Sequence, residues 1–172
     1  MLDHGYRCDA VSSEKVSLRR RVSDWLRRSD GLPKLNYDAL VDPDPKDVEA
    51  VARGLRAYNN RFAGPLNEKQ LGCFVRDTSG RVVGGSHGHV LWSWLYIERL
   101  WVESDLRSHG VGAQVLARLE RLALSEGVHR FHVQTTSFQA LDFYIKQGYE
   151  VYAQLEDNPP GHTDYSLKKI IN

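Results

Sequence analysis

Several absences narrow what this 172-residue chain can be. It has two cysteines, Cys8 and Cys73, far apart and without metal-ligand or disulfide-framework spacing. It has no surplus of one charge: 23 Lys and Arg face 22 Asp and Glu, a net +1. That balance argues against nucleic acid or an anionic membrane surface as a general partner. No apolar run reaches the roughly 18 residues of a membrane span. No apolar core of a signal peptide stands in the first thirty residues, so a reducing, cytoplasmic setting is the expectation. There is no internal repeat and no low-complexity tract.

What remains is ordinary for a globular domain: 41% hydrophobic and 26% charged residues, in a chain long enough to bury a real core. Residues 1–33 differ from the rest. From Glu14 to Ser29, Lys15, Arg19, Arg20, Arg21, Arg27 and Arg28 face only Glu14 and Asp24. Leu18, Val22, Trp25 and Leu26 form a helical stripe, with Ser12 or Ser13 as N-cap and Gly31 and Pro33 as stop. This basic amphipathic helix is read as an extension that packs on the domain or on a second copy of the chain, as in a homodimer. A basic arm and a partly disordered tail are the other readings. Residues 34–172 are expected to form the main domain.

Along that domain, 36–41 reads as a short strand, and Asp44-Pro45 opens a helix to about Phe62, with Val48, Val51, Leu55 and Tyr58 at helical spacing. Strands follow at Leu71–Arg76, Arg81–Leu91 and Trp94–Val102, the first two joined by a turn at Asp77–Gly80. A helix over Ala113–Ser125, with Val115, Leu116, Leu119 and Leu122 inward, ends at Gly127. His129–Thr135 is a strand, Ala140–Gln147 a helix stopped by Gly148. Tyr149–Leu155 and Tyr165–Ile170 close the chain as a hairpin. The order predicts an α/β (mixed α+β) sandwich with a largely antiparallel start.

The most informative stretch is Arg107-Ser108-His109-Gly110-Val111-Gly112-Ala113, between a strand and a helix. Two glycines one residue apart allow a tight turn and close approach of a ligand. Free N–H groups at the helix start, with the helix dipole behind them, suit a phosphate. A Walker loop is excluded because Ala113-Gln114 replaces the Lys-Ser/Thr pair. A dinucleotide fingerprint is excluded by Val115 at its third glycine and by the lack of an acid in Arg130–Gln134.

The remaining pattern, Arg-x-x-Gly-x-Gly, resembles motif A of the GNAT superfamily of N-acetyltransferases. Ala140-Leu141-Asp142-Phe143-Tyr144-Ile145-Lys146-Gln147-Gly148-Tyr149 is similar to a second signature of that superfamily, A-x-x-F-Y-x-x-x-G-[FY]. The two occur in the family's order. The resemblance implies a central mixed sheet of six to seven strands flanked by helices, here with the extra N-terminal helix. It implies acetyl-coenzyme A as co-substrate, with no metal, and transfer of acetyl to a primary amine.

It also implies roles. Arg107, Ser108, His109, Gly110, Val111, Gly112 and Ala113 would hold the pyrophosphate, mostly through backbone N–H groups. Leu100, Trp101 and Val102 would flank the coenzyme, the Leu100 N–H polarising the thioester carbonyl. Ser137 stands where the family often has an Asn that contacts the coenzyme. Tyr144 would be the acid for the departing thiolate. Glu98 would be the base for the amine, often through water in the family, with Tyr96 on the same strand face and Arg99 on the other. Trp92, Tyr96 and Glu98, with Gly85 and Gly88, would line the acceptor side, and the 156–164 hairpin its other wall, where Glu156 and Asp157 suit a cationic amine.

Two further groups carry weaker signals. His87 and His89 share a strand face but lack a third metal ligand nearby in sequence. Cys73 as an acetyl carrier lacks a base nearby in sequence. The sequence leaves the acceptor open among small amines, antibiotics, peptide N-termini and lysines. It also leaves a non-catalytic acyl-coenzyme A-binding module as the alternative, which Tyr144 and Glu98 argue against.

Overall fold

The computed structural model describes residues 35–172. The basic helix expected at 14–29 lies outside the described residues. Residues 36–41, expected as a strand, carry no strand pairing, and Leu35, Tyr37, Leu40 and Val41 are exposed. Apolar alternation supplies a face, but a strand also needs a partner for its N–H and C=O groups.

Helix α1 spans Pro45–Ala63. Asp44 caps it as its sequence predicts: Lys46 N donates to Asp44 Oδ1 at 2.8 Å, with proline at the first helical position. Its apolar stripe, Val51, Leu55, Tyr58 and Phe62, is exposed.

The remaining strands and α-helices are β1 (Lys69–Arg76), β2 (Val82–Leu91), β3 (Trp94–Val102), α2 (Val111–Ser125), β4 (Arg130–Thr136), α3 (Leu141–Lys146), β5 (Glu150–Glu156) and β6 (Thr163–Ile170), with a short 3₁₀ turn at Ser104–Leu106. They build one six-stranded sheet in the order β1-β2-β3-β4-β6-β5. β3 and β4 are parallel, and every other neighbouring pair is antiparallel. Helix α2 is the crossover that a parallel pair requires.

Strand alternation separates two faces. Leu95 and Ile97, Phe131 and Val133, and Leu167 point into a core closed by Leu116, Leu119 and Ala123 of α2 and Tyr144 of α3. Along β2 the inward residues are Gly84, Ser86, Gly88 and Val90, so small side chains lie under α2. The other face carries His87, His89, Tyr96 and His132, all part-exposed.

Leu122, expected inward on α2, is 38% exposed, and Glu120 is buried in its place. The buried arc is turned toward Glu120 because Lys169 and Tyr149 bond its carboxylate. Periodicity places an apolar stripe, but it cannot foresee a polar residue drawn in by distant partners.

Candidate active site

The site begins with an interrupted strand pair. β3 and β4 are in register only from Trp94 opposite Arg130 to Ile97 opposite Val133. Beyond that point β4 keeps β6 as its partner, Gln134 to Ser166, Thr135 to Tyr165 and Thr136 to Asp164, while β3 follows β2 away. The gap opens a cleft of about 750 Å³, lined on one side by Glu98–Val102 and on the other by Gln134 and Thr135.

The glycine loop closes one end. Ser108 has φ 62° and Gly110 φ 75°, so the chain turns through the left-handed region twice before α2 starts at Val111. Gly110 takes the N-cap position with no side-chain cap, which leaves the first N–H groups of α2 to a ligand. Arg107, Ser108, Gly110, Gly112 and Ala113 line the cleft. Arg107 Nε donates to the carbonyl of Val102 at 2.9 Å, so this cation also ties the loop to the end of β3. His109 turns back on the loop, its Nδ1 2.7 Å from the Arg107 carbonyl oxygen, and Val111 faces a groove beside β1. Neither side chain lines the cleft.

Helix α3 supplies the other end. Phe143 and Tyr144 line the cleft with Phe138, Ala140 and Gln147. Tyr144 is buried, its ring edge-on to Phe143 and Tyr149 at centroid distances of 5.1 and 5.5 Å. Burial pushes its phenol up to about 12, so it stays protonated and able to donate.

Glu98 owes its position to a bulge. His87 pairs with Arg99 and Gly88 with Ile97, so Glu98 is the extra residue of β3. Only glycine fits opposite: a Cβ on Gly88 would lie 2.1 Å from the Tyr96 carbonyl oxygen. The bulge also breaks the alternation that would send Arg99 to the opposite face. Arg99 instead brings Nη1 within 4.0 Å of Glu98 Oε2, and both residues line the cleft.

Glu98, Arg99 and Gln134 are shared with a second cleft of about 420 Å³, lined also by His89, Tyr96 and His132. His89 stacks on Tyr96 with ring centroids 5.5 Å apart and planes at 9°. Tyr96 in turn meets His132 at 5.1 Å. His89 Nδ1 lies 2.6 Å from Glu98 Oε1, and His87 Nδ1 lies 3.4 Å from Oε2. The imidazoles approach different oxygens rather than a shared point, and no group of three or more metal-binding side chains occurs among the described residues.

Glu98, Leu100, Trp101, Val102, Arg107, Ser108, Gly110, Gly112, Ala113 and Tyr144 therefore meet around one cleft. Tyr96 joins Glu98 in the second. Trp92 does not join them. It sits in the β2–β3 turn with φ 52°, its indole 3.4 Å from the Gly64 carbonyl, at the end of β3 away from Glu98. Ser137 is engaged elsewhere: its Oγ accepts from Thr163 N and contacts His162 Nδ1, both at 3.3 Å. Glu156 and Asp157 line neither cleft, and Asp157 caps its own turn through Gly161 N. Sequence reasoning missed Gln134, Thr135, Phe138 and Gln147 as lining residues. The divergence of β3 from β4 reveals Gln134 and Thr135, and the seating of α3 at the end of the cleft reveals Phe138 and Gln147.

The family profile described as the Acetyltransferase (GNAT) family matches residues 32–149, more than half of the chain. This chain belongs to the GNAT acetyltransferase family. The acetyltransferase is 42% identical over 93 residues to the blasticidin-S acetyltransferase of Streptomyces morookaense, covering 54% of this chain and 68% of that one. A crystal structure of an acetyltransferase from Bacillus cereus superposes with a TM-score of 0.73 at 27% identity, covering 78% of this chain and 98% of that one. A Bacillus anthracis protein crystallised with acetyl coenzyme A shares the fold at a TM-score of 0.53 and 17% identity, over 60% of this chain and 63% of that one. The resemblance read from the two motifs is borne out, as is the mixed α/β architecture. The enzyme is an acyltransferase. Among the described residues no helix is long and apolar enough to cross a membrane.

Proposed function

We propose that this enzyme moves an acetyl group from acetyl-coenzyme A directly to a primary amine, with both substrates bound at once. One observation carries the reading: the β3–β4 gap joins an uncapped helix start at one end to a buried phenol at the other, with Glu98 on the wall between. The glycine loop fits a pyrophosphate, since backbone N–H groups, the Ser108 hydroxyl and the Arg107 guanidinium are donors there and Gly112 presents no side chain. The gap between the diverging ends of β3 and β4, no longer paired with each other, fits an extended pantetheine arm, whose amides need backbone partners. When bound, acetyl-coenzyme A supplies the activated acyl group.

The chain's residues then have separable tasks. Leu100, just past the bulge, offers its N–H to the thioester carbonyl. Tyr144 donates its phenolic hydrogen toward the departing sulfur. Glu98 is the carboxylate of the base that keeps the amine neutral, with Tyr96 beside it. The acceptor enters along the His89–Tyr96–His132 cleft, which shares Glu98 with the coenzyme cleft. The name of the Streptomyces relative makes blasticidin S the first acceptor to try.

The test is a panel of amines that includes blasticidin S, polyamines, aminoglycosides and lysine peptides, read by thiol release from acetyl-coenzyme A. Thiol release dependent on one amine, lowered at least 100-fold in Tyr144→Phe or Glu98→Gln, supports the assignment. Rates unaltered in both variants refute it.

A further inference from the structure

The Glu98 carboxylate is contacted by imidazoles of the neighbouring strand, and the closer contact has a chemical consequence. A nitrogen–oxygen separation of 2.6 Å between His89 Nδ1 and Glu98 Oε1 must hold a proton, because two lone pairs would repel each other at that distance. A neutral imidazole so bonded is the Nδ1–H tautomer, and its Nε2 is an open acceptor on the far edge of the ring. Stacking on Tyr96 fixes the ring plane, and the ring borders the cleft shared with Glu98.

We infer that His89, oriented by Glu98, takes the proton from the acceptor amine. This rests on the acetyltransferase reading and assigns the base within it. An imidazole is intrinsically a stronger base than a carboxylate, so transfer from an ammonium to imidazole is the less uphill step. In the step, one N–H bond of the ammonium breaks and an Nε2–H bond forms. The electron pair stays on the amine for attack, and Glu98 balances the resulting imidazolium. The proton then leaves to solvent from the part-exposed ring. The other charged or titratable groups facing the pair are His87, 3.4 Å from Oε2, Arg99, 4.0 Å from Oε2, and Tyr96 and His132 in the same cleft.

The first arm of the test needs no acceptor. Long-range ¹H–¹⁵N spectra of the full ¹⁵N-labelled chain at pH 8 are expected to show His89 protonated at Nδ1 and bare at Nε2. Glu98→Gln should shift the ring toward the Nε2–H tautomer. A wild-type Nε2–H tautomer overturns the inference.

The second arm uses the best amine of the panel. His89→Gln and His89→Asn should each lower kcat/KM about 100-fold. Acetyl-coenzyme A affinity by calorimetry should not change, because His89 does not line the coenzyme cleft. Adding Glu98→Gln to His89→Gln should cost little more, as for groups that act as a unit. Loss of transfer in Glu98→Gln with full activity in both His89 variants overturns the inference, leaving Glu98 as base. A wild-type chain that binds no acetyl-coenzyme A fails the proposed function instead, while the tautomer still decides how Glu98 and His89 are paired.

Discussion

Lys169 of β6 places its ammonium 2.8 and 3.0 Å from the two carboxylate oxygens of Glu120, a helix residue whose side chain is only 9% exposed. The Tyr149 hydroxyl donates to the same carboxylate at 2.9 Å, and Lys169 lies 5.4 Å from the centre of the Tyr149 ring. The cluster joins α2, β6 and the segment that follows α3. Its members support each other: burial and the Glu120 charge push the Tyr149 phenol strongly up, keeping it a donor.

Glu120→Ala should therefore destabilise the fold by about 3 kcal/mol, since it leaves a mostly buried ammonium unpaired. Replacing both charges, as in Glu120→Leu with Lys169→Met, should cost less than Glu120→Ala alone. Denaturant midpoints at constant m-value measure both. A single-variant loss under about 1 kcal/mol would show that the cluster does not anchor the helix.

The glycine loop gives a crossed prediction. A Cβ on Gly112 would meet Phe143 and Val102 at 3.6–3.8 Å, ordinary contact, so the protein itself has room for alanine. Alanine also favours a helix by up to about 1 kcal/mol over glycine. Gly112→Ala should leave the melting temperature unchanged or raised while weakening acetyl-coenzyme A binding at least tenfold by calorimetry. Gly110→Ala should behave differently: at φ 75° it costs about 1 kcal/mol of stability as well. Equal coenzyme affinity in Gly112→Ala and wild type would remove the loop from the coenzyme site.

Much of this architecture is written locally. Asp44-Pro45, Gly127 and Gly148 mark helix ends by chemistry that acts within a turn, and the structure agrees at each. The glycine loop and the Phe143-Tyr144 helix are legible for the same reason. What was not legible depends on register. That His89 meets Glu98 depends on the register in which β2 pairs with β3, and the pattern of a single strand does not encode its partner's register. Ser137 bonds to the His162–Thr163 segment because β4 and β6 are neighbours, which the chain order does not reveal. The burial of Glu120 depends on Lys169, 49 positions later.

Tyr144 supplies a pH argument. Its phenol, pushed up to about 12 by burial, carries its proton throughout any practical assay range. Tyr144→Phe should lower kcat by about 100-fold, within the usual scale of acid catalysis. KM for acetyl-coenzyme A should change little. The pH profile should keep its shape, only scaled down, because no limb below pH 10 belongs to this residue. Disappearance of an alkaline limb in the variant would mean that Tyr144 loses its proton within that range, against the burial argument.

His132 links the second cleft to stability. Burial lowers its imidazole below the ordinary value of 6.5, since the charged form is disfavoured beneath its neighbours. Above pH 6.5 the ring is neutral in both folded and unfolded chains, and protonation favours neither. As pH falls through 6.5 the unfolded chain takes up the proton first, so stability declines until the folded ring also titrates. The ring is part-exposed, so the effect should be modest. Urea midpoints at pH 7.5 and 5.5 should fall further in wild type than in His132→Gln, which cannot bind that proton. An equal fall in both would assign the acid sensitivity to other groups and show that His132 titrates as it does in water.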